Sequence, residues 1–260
     1  MGTVAIVTGA ASGIGEATAR EFARRGAIVV AVDRNAERLA VVAQDLVDTS
    51  PTSCFEVIDV TSRTEVEKAV ATVTHTFGRV DIVFNNAGIP LHKHVIDTTP
   101  EEIEKVFAVN FFGAMYFTSA VLPGMLVRKR GSIINVTSVA GYIPNPREAA
   151  YGATKAALSM WSHGLQNELY GTGVHVGVIS PGPTATEIWR TFESPASYSG
   201  KLYPPSVVAR AAVKMVERNI GHMTAPRQYG LLGAMYPIFG RQMRWGLRRF
   251  DKDAQSRLKR

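Results

Sequence analysis

The feature that most restricts the fold of this 260-residue chain is a glycine-rich turn between two apolar segments. Residues 3–8 (TVAIVT) have the pattern of a buried strand, and residues 13–25 have the pattern of a helix. Between them, Thr8–Gly15 (TGAASGIG) contains glycines that permit a tight turn and a close approach of the backbone to a ligand. A helix that begins near Gly13 offers unpaired N–H groups to a pyrophosphate. The pattern therefore predicts a strand-turn-helix unit that binds a dinucleotide.

Segments typical of strands and helices continue to alternate beyond this unit. Strands are predicted at residues 27–32, 54–58, 80–84 and 131–136, and helices at 35–48, 61–77 and 206–219. Parallel strands joined by crossover helices form right-handed, doubly wound sheets. We therefore expect one α/β domain over residues 1–260, with a Rossmann-type doubly wound parallel sheet of about seven strands and helices on both faces.

Charge and cysteine content narrow the class of protein. The formal net charge is +7, and residues 241–260 carry +6 of it, with eight Lys or Arg and two Asp. A nearly neutral body argues against a nucleic-acid-binding surface across the fold. The single Cys54 excludes an internal disulfide and fits a reducing compartment. With no signal peptide visible and no uninterrupted apolar stretch long enough to span a bilayer, a cytoplasmic protein is expected.

A second informative stretch, residues 131–157, carries a tyrosine and a lysine on one predicted helix. Tyr151 and Lys155 are four residues apart, so their side chains share a helical face. A cation one turn away favours the phenolate and lowers the pKa of Tyr151, which makes the phenol usable in proton transfer. Ser138 follows the preceding strand and can direct its hydroxyl at the same substrate oxygen. Taken alone, the spacing equally fits an ordinary surface pair on an amphipathic helix.

Several short motifs follow one another in a fixed order along the chain. They are T-G-x-x-x-G-I-G at Thr8–Gly15, Asp59-Val60, N-N-A-G at Asn85–Gly88, V-N-x-x-G at Val109–Gly113, Ser138, Y-x-x-x-K at Tyr151–Lys155, and Pro181-Gly182. This ordered set resembles the short-chain dehydrogenase/reductase family over about residues 3–226. The set is highly specific, although each motif alone is not.

The resemblance implies an NAD(P)-dependent oxidoreductase that interconverts an alcohol and a ketone or aldehyde. Its catalytic residues would be Asn110, Ser138, Tyr151 and Lys155. Tyr151 would transfer the proton, Ser138 would bind the substrate oxygen, and Lys155 would hold the nicotinamide ribose and lower the pKa of Tyr151. Asn110 would distort its helix and anchor a water molecule that relays the proton; alternatively, it is a polar residue that faces a neighbouring loop.

The resemblance and the glycine-rich turn also predict the cofactor contacts. They are Gly9, Ser12, Gly13, Ile14, Gly15, Asp33, Arg34, Asp59, Val60, Asn86, Ala87, Gly88, Tyr151, Lys155, Pro181, Gly182, Thr184 and Thr186. Asp33 ends the second strand, where a carboxylate accepts hydrogen bonds from the adenosine ribose and repels a 2′-phosphate, which favours NAD. Arg34 can bind such a phosphate, so NADP stays open as the alternative.

The substrate side is less clearly encoded. Residues 184–205 lack periodicity and follow Pro181-Gly182, which predicts a lid over the active site. The aromatic residues of this lid, Trp189, Phe192, Tyr198 and Tyr203, favour an apolar substrate unless they pack on the body of the protein. The six histidines lack metal-ligand spacing, so no metal is expected, and His92 and His94 are interpreted as a solvated loop or as part of the substrate mouth.

Residues 227–260 form a C-terminal extension that is apolar over 229–239 and basic thereafter. It fits a cover over the substrate pocket or a subunit contact, and alternatively an interfacial segment on anionic lipid. We expect a homodimer or homotetramer, because members of the family usually pair through the Tyr151 helix and the helix before it. Two other classes stay open: a catalytically idle dinucleotide-binding scaffold or redox sensor, and a membrane-peripheral adaptor. A sensor would have no need of Tyr151 and Lys155 together, and the adaptor rests on the tail alone.

Overall fold

The computed structural model describes residues 2–187 and 201–250. Three of the aromatic residues predicted for the lid, Trp189, Phe192 and Tyr198, lie outside the described residues, as does the tail from 251 onward.

Seven strands form one sheet in which every pairing is parallel. The strands are β1 (Val4–Thr8), β2 (Ile28–Asp33), β3 (Cys54–Val57), β4 (Ile82–Asn85), β5 (Gly131–Val136), β6 (Val174–Pro181) and β7 (His222–Ala225). Their order across the sheet is β3-β2-β1-β4-β5-β6-β7. The order reverses between β1 and β4, and in open α/β sheets ligands bind at this switch point, beyond the carboxyl ends of the strands. The predicted fold class is confirmed.

Eight α-helices connect or follow these strands within the described residues. They are α1 (Gly13–Arg24), α2 (Ala36–Thr49), α3 (Arg63–Phe77), α4 (Pro100–Phe107), α5 (Gly113–Arg128), α6 (Ala149–Glu168), α7 (Ser206–Arg218) and α8 (Gln228–Phe250). Short polar side chains set several of the starts: the side chains of Asn35 and Ser62 each accept a hydrogen bond from the third residue of the following helix. This capping explains why α2 begins one residue later than the predicted span.

The sheet is buried on both faces because alternate residues of its strands point to opposite sides. On one side, strand residues pack with α1, α2 and α7 around Phe22, Leu39 and Met215. On the other, they pack with α3, α5 and α6 around Phe117 and Met125. The two layers hold the carboxyl ends of the strands in fixed positions, which is what a site built from strand ends requires.

A π-helical turn at Ala108–Phe112 separates α4 from α5. By length and composition alone, the combined stretch Pro100–Arg128 is long and apolar enough to cross a membrane, although charged residues interrupt its first turns. In the fold, α5 packs on α3 and on the sheet, and Phe117 and Met125 are at most 1% exposed. Other side chains of the stretch face solvent, such as Val127 at 86% exposed, so one face packs on the α/β unit and another stays exposed.

The apolar part of the C-terminal extension is helical in spite of its glycines and proline. It forms the first half of α8, which has non-helical backbone angles at Phe239 (φ −108°, ψ 19°). Gly233 of α8 lies against the ring of Tyr142, so no larger residue fits there. On the solvent side, Leu231 and Ile238 are 67% and 75% exposed.

Candidate active site

A cavity of about 870 Å³ opens at the carboxyl ends of the strands. Most of the predicted site residues line it: Gly9, Ser12, Gly13, Ile14, Asp33, Arg34, Asp59, Val60, Asn86, Ala87, Gly88, Ser138, Tyr151, Lys155, Pro181, Gly182, Thr184 and Thr186. The two that do not line it are Gly15 and Asn110. Their side-chain environments explain why.

The glycine-rich turn is tightly packed against the segment that follows β4. Gly9 and Gly13 have φ values of 67° and 58°, a left-handed conformation that glycine adopts without strain. Gly15 lies behind the cavity, where a Cβ atom would overlap the carbonyl of Gly9. The side-chain amide of Asn86 donates to the carbonyl oxygen of Thr8 at 2.9 Å. Gly15 and Asn86 therefore fix the shape of the turn.

The start of α1 is suited to an anion. The first N–H groups of a helix have no intrahelical acceptor, and the side chain of Ser12 at the N-cap does not bond to them. Gly13 and Ile14 in this turn line the cavity. A pyrophosphate would satisfy these donors and interact favourably with the helix dipole.

Asp33 lies at the end of β2, beside the turn. Its carboxylate oxygens accept hydrogen bonds from the backbone N–H of Ala11 at 3.1 Å and of Asn35 at 3.0 Å. A carboxylate held in this way is fixed at the adenosine end of a dinucleotide site of this type.

An ion pair between residues far apart in the chain lies at the same end of the cavity. Arg38 on α2 contacts both carboxylate oxygens of Glu187, at 2.6 and 3.2 Å, and both residues line the cavity. Sequence reasoning missed this pair because 149 residues separate its members and no local pattern signals the contact. The pair joins α2 to the segment after β6.

Asp59 and Val60, which follow β3, line the cavity as neighbours of opposite character. Val60 is buried, whereas Asp59 is exposed and accepts hydrogen bonds from the backbone N–H and hydroxyl of Thr61 at 2.9 and 2.8 Å. These bonds keep the pKa of Asp59 below its ordinary value. A charged carboxylate therefore lies next to an apolar side chain in the lining of the cavity.

Three polar side chains meet where β5 ends and α6 begins. The hydroxyl of Ser138 accepts a hydrogen bond from the N–H of Ala140 at 3.1 Å, and it lies near enough to Tyr151 to lower the pKa of the phenol. Lys155, only 4% exposed, donates to the carbonyl oxygen of Val136 at 3.0 Å. Its ammonium nitrogen is 5.8 Å from the centre of the Tyr151 ring.

The pKa values of these groups differ from the sequence-based expectation. Burial raises the pKa of Tyr151 above its ordinary value, the charge of Glu148 raises it further, and only the nearby Ser138 side chain lowers it. Burial lowers the pKa of Lys155 to about 8. The sequence-based expectation is a pKa of Tyr151 lowered by Lys155 with the help of the oxidised nicotinamide ring, whereas with the protein's own residues alone burial raises that pKa.

Asn110 is buried in the π-helical turn and bonds to the segment after β4. Its amide nitrogen donates to the carbonyl oxygen of Ile89 at 3.0 Å and to the hydroxyl of Thr154 at 3.1 Å. Its amide oxygen accepts from the N–H of Ile89 at 2.8 Å. The helix is locally distorted at Asn110, and the side chain also faces a neighbouring loop, so features of both sequence interpretations occur together.

The loop after β4 contributes a histidine to the cavity wall. His92 is 9% exposed and lines the cavity, so its interpretation as part of a solvated loop is wrong. Glu148 and Asn145, from the loop before α6, line the cavity beside it. Sequence reasoning missed Glu148, although it stands only three residues before Tyr151, immediately before the helix that carries the tyrosine.

Metal binding has no evident place in the part of the chain that the structure describes. Within residues 2–187 and 201–250, no group of three or more His, Cys, Asp or Glu side chains is arranged to hold a metal ion.

Comparisons with known proteins agree with this geometry. A family model for short chain dehydrogenases matches residues 3–196. An oxidoreductase of Staphylococcus epidermidis whose name calls it uncharacterized is 41% identical over 183 residues, which cover 70% of this chain and 78% of the relative.

Two solved structures are similar over nearly the whole chain. A short-chain dehydrogenase from Sphingobium yanoikuyae in complex with NADPH is 30% identical, with a TM-score of 0.80 and coverage of 92% of this chain and 95% of that one. The 3-ketoacyl-(acyl-carrier-protein) reductase from Brucella melitensis, complexed with NADH, is also 30% identical, with a TM-score of 0.78 and coverage of 87% and 98%.

Proposed function

The chain belongs to the short-chain dehydrogenase family, and on this premise we propose that it is an NAD(P)-dependent oxidoreductase that interconverts an alcohol and a ketone or aldehyde. The observation that carries the proposal is the grouping of Tyr151 with Ser138, which lies near enough to lower the pKa of the phenol, and with Lys155 one turn along the same helix. All three residues line the cavity that also contains the glycine-rich turn. An acid–base group therefore lies in the same cavity as the features that suit a dinucleotide.

Each of the three side chains has a distinct task in this proposal. The hydroxyl of Tyr151 gives a proton to the carbonyl oxygen of a ketone, or takes one from an alcohol. The hydroxyl of Ser138 donates a hydrogen bond that positions the same oxygen. Lys155 is mostly protonated at pH 7, because this pH lies below its pKa of about 8. The bound nicotinamide would supply the hydride donor or acceptor.

The raised pKa of Tyr151 affects which direction of the reaction, reduction or oxidation, the site favours. With its own residues alone, the protein keeps Tyr151 as a neutral phenol, which is the proton-donating form needed to reduce a carbonyl. Oxidation of an alcohol needs the phenolate, and positive charge near the ring favours that form. Asn110 supports the site by tying the segment after β4 to α6, next to Lys155 in the chain.

The residues that would hold the cofactor fit a dinucleotide along its whole length. The first turn of α1 would take the pyrophosphate, Asp33 the adenosine ribose and Lys155 the nicotinamide ribose. The carboxylate of Asp33 favours NAD because it repels a 2′-phosphate. NADP remains the alternative, because Arg34 and Arg38 line the same end of the cavity.

Apolar walls support an apolar substrate. Near the reacting end, the cavity is lined by Ile89, Pro90, Leu91, Val139, Pro146 and Pro183. Tyr203, the one predicted lid aromatic within the described residues, packs edge to face on Tyr229 with ring centres 6.3 Å apart, so it contacts α8. This contact supports the interpretation of α8 as part of the cover beside the substrate end.

Exposed apolar side chains support self-association in a cytoplasmic enzyme. Phe112, Val127 and Met160, on or beside α5 and α6, are 40%, 86% and 73% exposed. They lie on or next to the two helices through which members of the family usually pair, and we propose a homodimer or homotetramer through these helices. A monomer in light scattering at micromolar concentration would contradict it. Peripheral membrane contact through the basic tail is the weaker proposal, and absence of co-sedimentation with anionic vesicles at low salt would remove it.

The decisive test of activity is a turnover screen of lipophilic alcohols and ketones with both NAD(H) and NADP(H), followed by nicotinamide absorbance. We expect turnover of at least one alcohol–ketone pair, with NAD(H) preferred. Dinucleotide binding is measured in parallel by titration of the protein with each cofactor. Tight binding without turnover across the panel would instead favour the scaffold or redox sensor.

A further inference from the structure

A carboxylate and an imidazole lie together in the cavity wall next to Tyr151. Glu148 is the residue immediately before α6, and its side chain is 15% exposed. The side chain of His92 is 3% exposed, and its Nδ1 is 3.8 Å from Oε1 of Glu148. Apart from the effect of the Glu148 charge on the pKa of Tyr151, the roles proposed above for Ser138, Tyr151 and Lys155 use neither residue.

The two loops that carry this pair are tied to each other. The backbone N–H of Lys93 donates to the carbonyl oxygen of Arg147 at 2.9 Å, which sets the residue after His92 against the residue before Glu148. Arg147 has a φ of 66°, a left-handed conformation that is costly for a residue with a Cβ atom. Such strain persists only where the surrounding structure imposes it, and it clusters at functional sites.

Glu148 is itself held in place and keeps capacity for a further donor. The amide nitrogen of Asn145 donates to Oε2 of Glu148 at 2.7 Å. The separation of 3.8 Å between Oε1 and His92 is longer than a hydrogen bond. Because an ionised carboxylate has about four acceptor positions, Glu148 can accept another hydrogen bond from a group that enters the cavity.

We propose that Glu148, with His92 beside it, determines substrate specificity by accepting a hydrogen bond from a second polar group of the substrate, a hydroxyl or an ammonium. The inference rests on the proposed function, since it concerns the same cavity and the same reacting oxygen. It narrows the apolar substrate to one that carries a hydrogen-bond donor in addition to the reacting group.

The geometry and the charge around Glu148 both favour substrates that carry such a donor. Glu148 lies near enough to Tyr151 for its charge to act on the phenol, and both residues line the same cavity, so one small molecule can reach them together. The low exposure of Glu148, 15%, and the apolar residues that line the cavity reduce screening by water, which strengthens the interaction of Glu148 with a donor. They also strengthen its repulsion of an acid, so substrates with a carboxylate are disfavoured.

The test uses four matched ketones: cyclohexanone and its derivatives with a hydroxyl, a dimethylammonium or a carboxylate on the carbon opposite the carbonyl. For the wild type, we expect kcat/KM to be about tenfold to a hundredfold higher for the preferred donor-bearing ketone than for cyclohexanone. The carboxylate derivative should be the poorest substrate. Whether the hydroxyl or the ammonium derivative leads identifies the donor.

Two substitutions of Glu148 distinguish a hydroxyl donor from an ammonium donor. Glu148→Ala removes every acceptor and should reduce the ratio of donor-bearing to plain ketone to within about threefold of unity. Glu148→Gln keeps an amide oxygen that accepts from a hydroxyl but loses the charge that attracts an ammonium. We therefore expect Glu148→Gln to retain a preference for the hydroxyl derivative and to lose one for the ammonium derivative.

A matched control is available on the same helix. Glu168 is exposed at the opposite end of α6, about 30 Å away by helix geometry, and Glu168→Gln should leave all four ratios unchanged. If Glu148→Ala retains the wild-type ratios, the inference is overturned and the proposed function stands. If the wild type binds dinucleotide yet turns over none of the four ketones or the wider panel, the proposed function and this inference both fall.

Discussion

The two ends of the cavity are built in different ways. The dinucleotide end is formed mainly by backbone: left-handed glycines, the start of α1 and the strand ends, braced by Asn86 and Asp33. The substrate end is formed by side chains from separate loops, among them His92 and Glu148. A backbone site depends on a few small residues in a fixed pattern, whereas a side-chain site can change residue by residue without changing the fold. Cofactor binding and substrate choice should therefore respond separately to mutation.

The largest expected effect separates catalysis from cofactor binding. Tyr151→Phe removes the transferable proton and little else, so turnover should fall by about a hundredfold to ten-thousandfold. Dinucleotide affinity should stay within about threefold of the wild type, because the phenyl ring remains. Steady-state kinetics and dinucleotide titration on the same preparation measure both quantities.

Tyr170→Phe is the matched control, because Tyr170 is 90% exposed beyond the end of the same helix. It should change neither quantity. Lys155→Ala should reduce both, since the proposal gives Lys155 a contact to the nicotinamide ribose as well as a role beside Tyr151. Substantial turnover by Tyr151→Phe, on a substrate of the wild type, would sink the proposed chemistry.

The next largest effect is expected from a substitution that disturbs the glycine-rich turn at the dinucleotide end. In Gly15→Ala, the new Cβ atom would overlap the carbonyl of Gly9 and lie 2.7 Å from the side-chain nitrogen of Asn86. Overpacking of this kind costs about 1–3 kcal/mol of unfolding free energy, and the displaced turn should bind dinucleotide about tenfold more weakly, on the same free-energy scale. Urea unfolding and dinucleotide titration test the two expectations.

Gly164→Ala is the same change at a site with room for it. Gly164 lies in α6, and a Cβ atom there would meet nothing within 4 Å. Alanine is favoured over glycine in a helix by about 0.5–1 kcal/mol, so this variant should be slightly more stable. Equal effects of the two substitutions would show that the packing at Gly15 is not what shapes the turn.

The smallest expected effect concerns the choice between NAD and NADP at the dinucleotide end. Asp33→Asn removes the charge that repels a 2′-phosphate and keeps the side chain's size, so the ratio of kcat/KM for NADP to that for NAD should rise by about tenfold. Arg34 and Arg38 stay available for the phosphate. Glu187→Gln should also raise this ratio, but by less. The substitution frees Arg38 to contact a 2′-phosphate, and the exposed Arg38–Glu187 pair contributes little energy in the wild type. A wild type that already prefers NADP strongly would show that the arginines outweigh Asp33.

The sequence predicted what local patterns determine. The strand–turn–helix at Thr8–Gly15 and the alternation of apolar segments are features of neighbouring residues, and the parallel seven-stranded sheet follows from them. The ordered motifs also group Ser138, Tyr151 and Lys155 into one predicted site, and these three residues line one cavity. Each of these signals lies within about one helix or one strand of chain.

What escaped prediction depends on distant contacts. The burial of His92 arises from a loop held against Arg147, and the Arg38–Glu187 pair joins two elements far apart in the chain. The direction of the pKa of Tyr151 depends on how deeply the fold buries the phenol and on where Lys155 directs its ammonium group. No periodicity or motif reports solvent exclusion, so these properties become visible only in three dimensions.

The bonds made by Asn110 have a consequence for local opening. One side chain binds both the N–H and the carbonyl oxygen of Ile89, beyond the last residue of β4. The amide proton of Ile89 should therefore exchange with solvent deuterium as slowly as amides inside the sheet, although Ile89 belongs to no strand or helix. A helix side chain here makes the two bonds that a neighbouring strand would make, and we expect slow exchange to reach the edge of the active site.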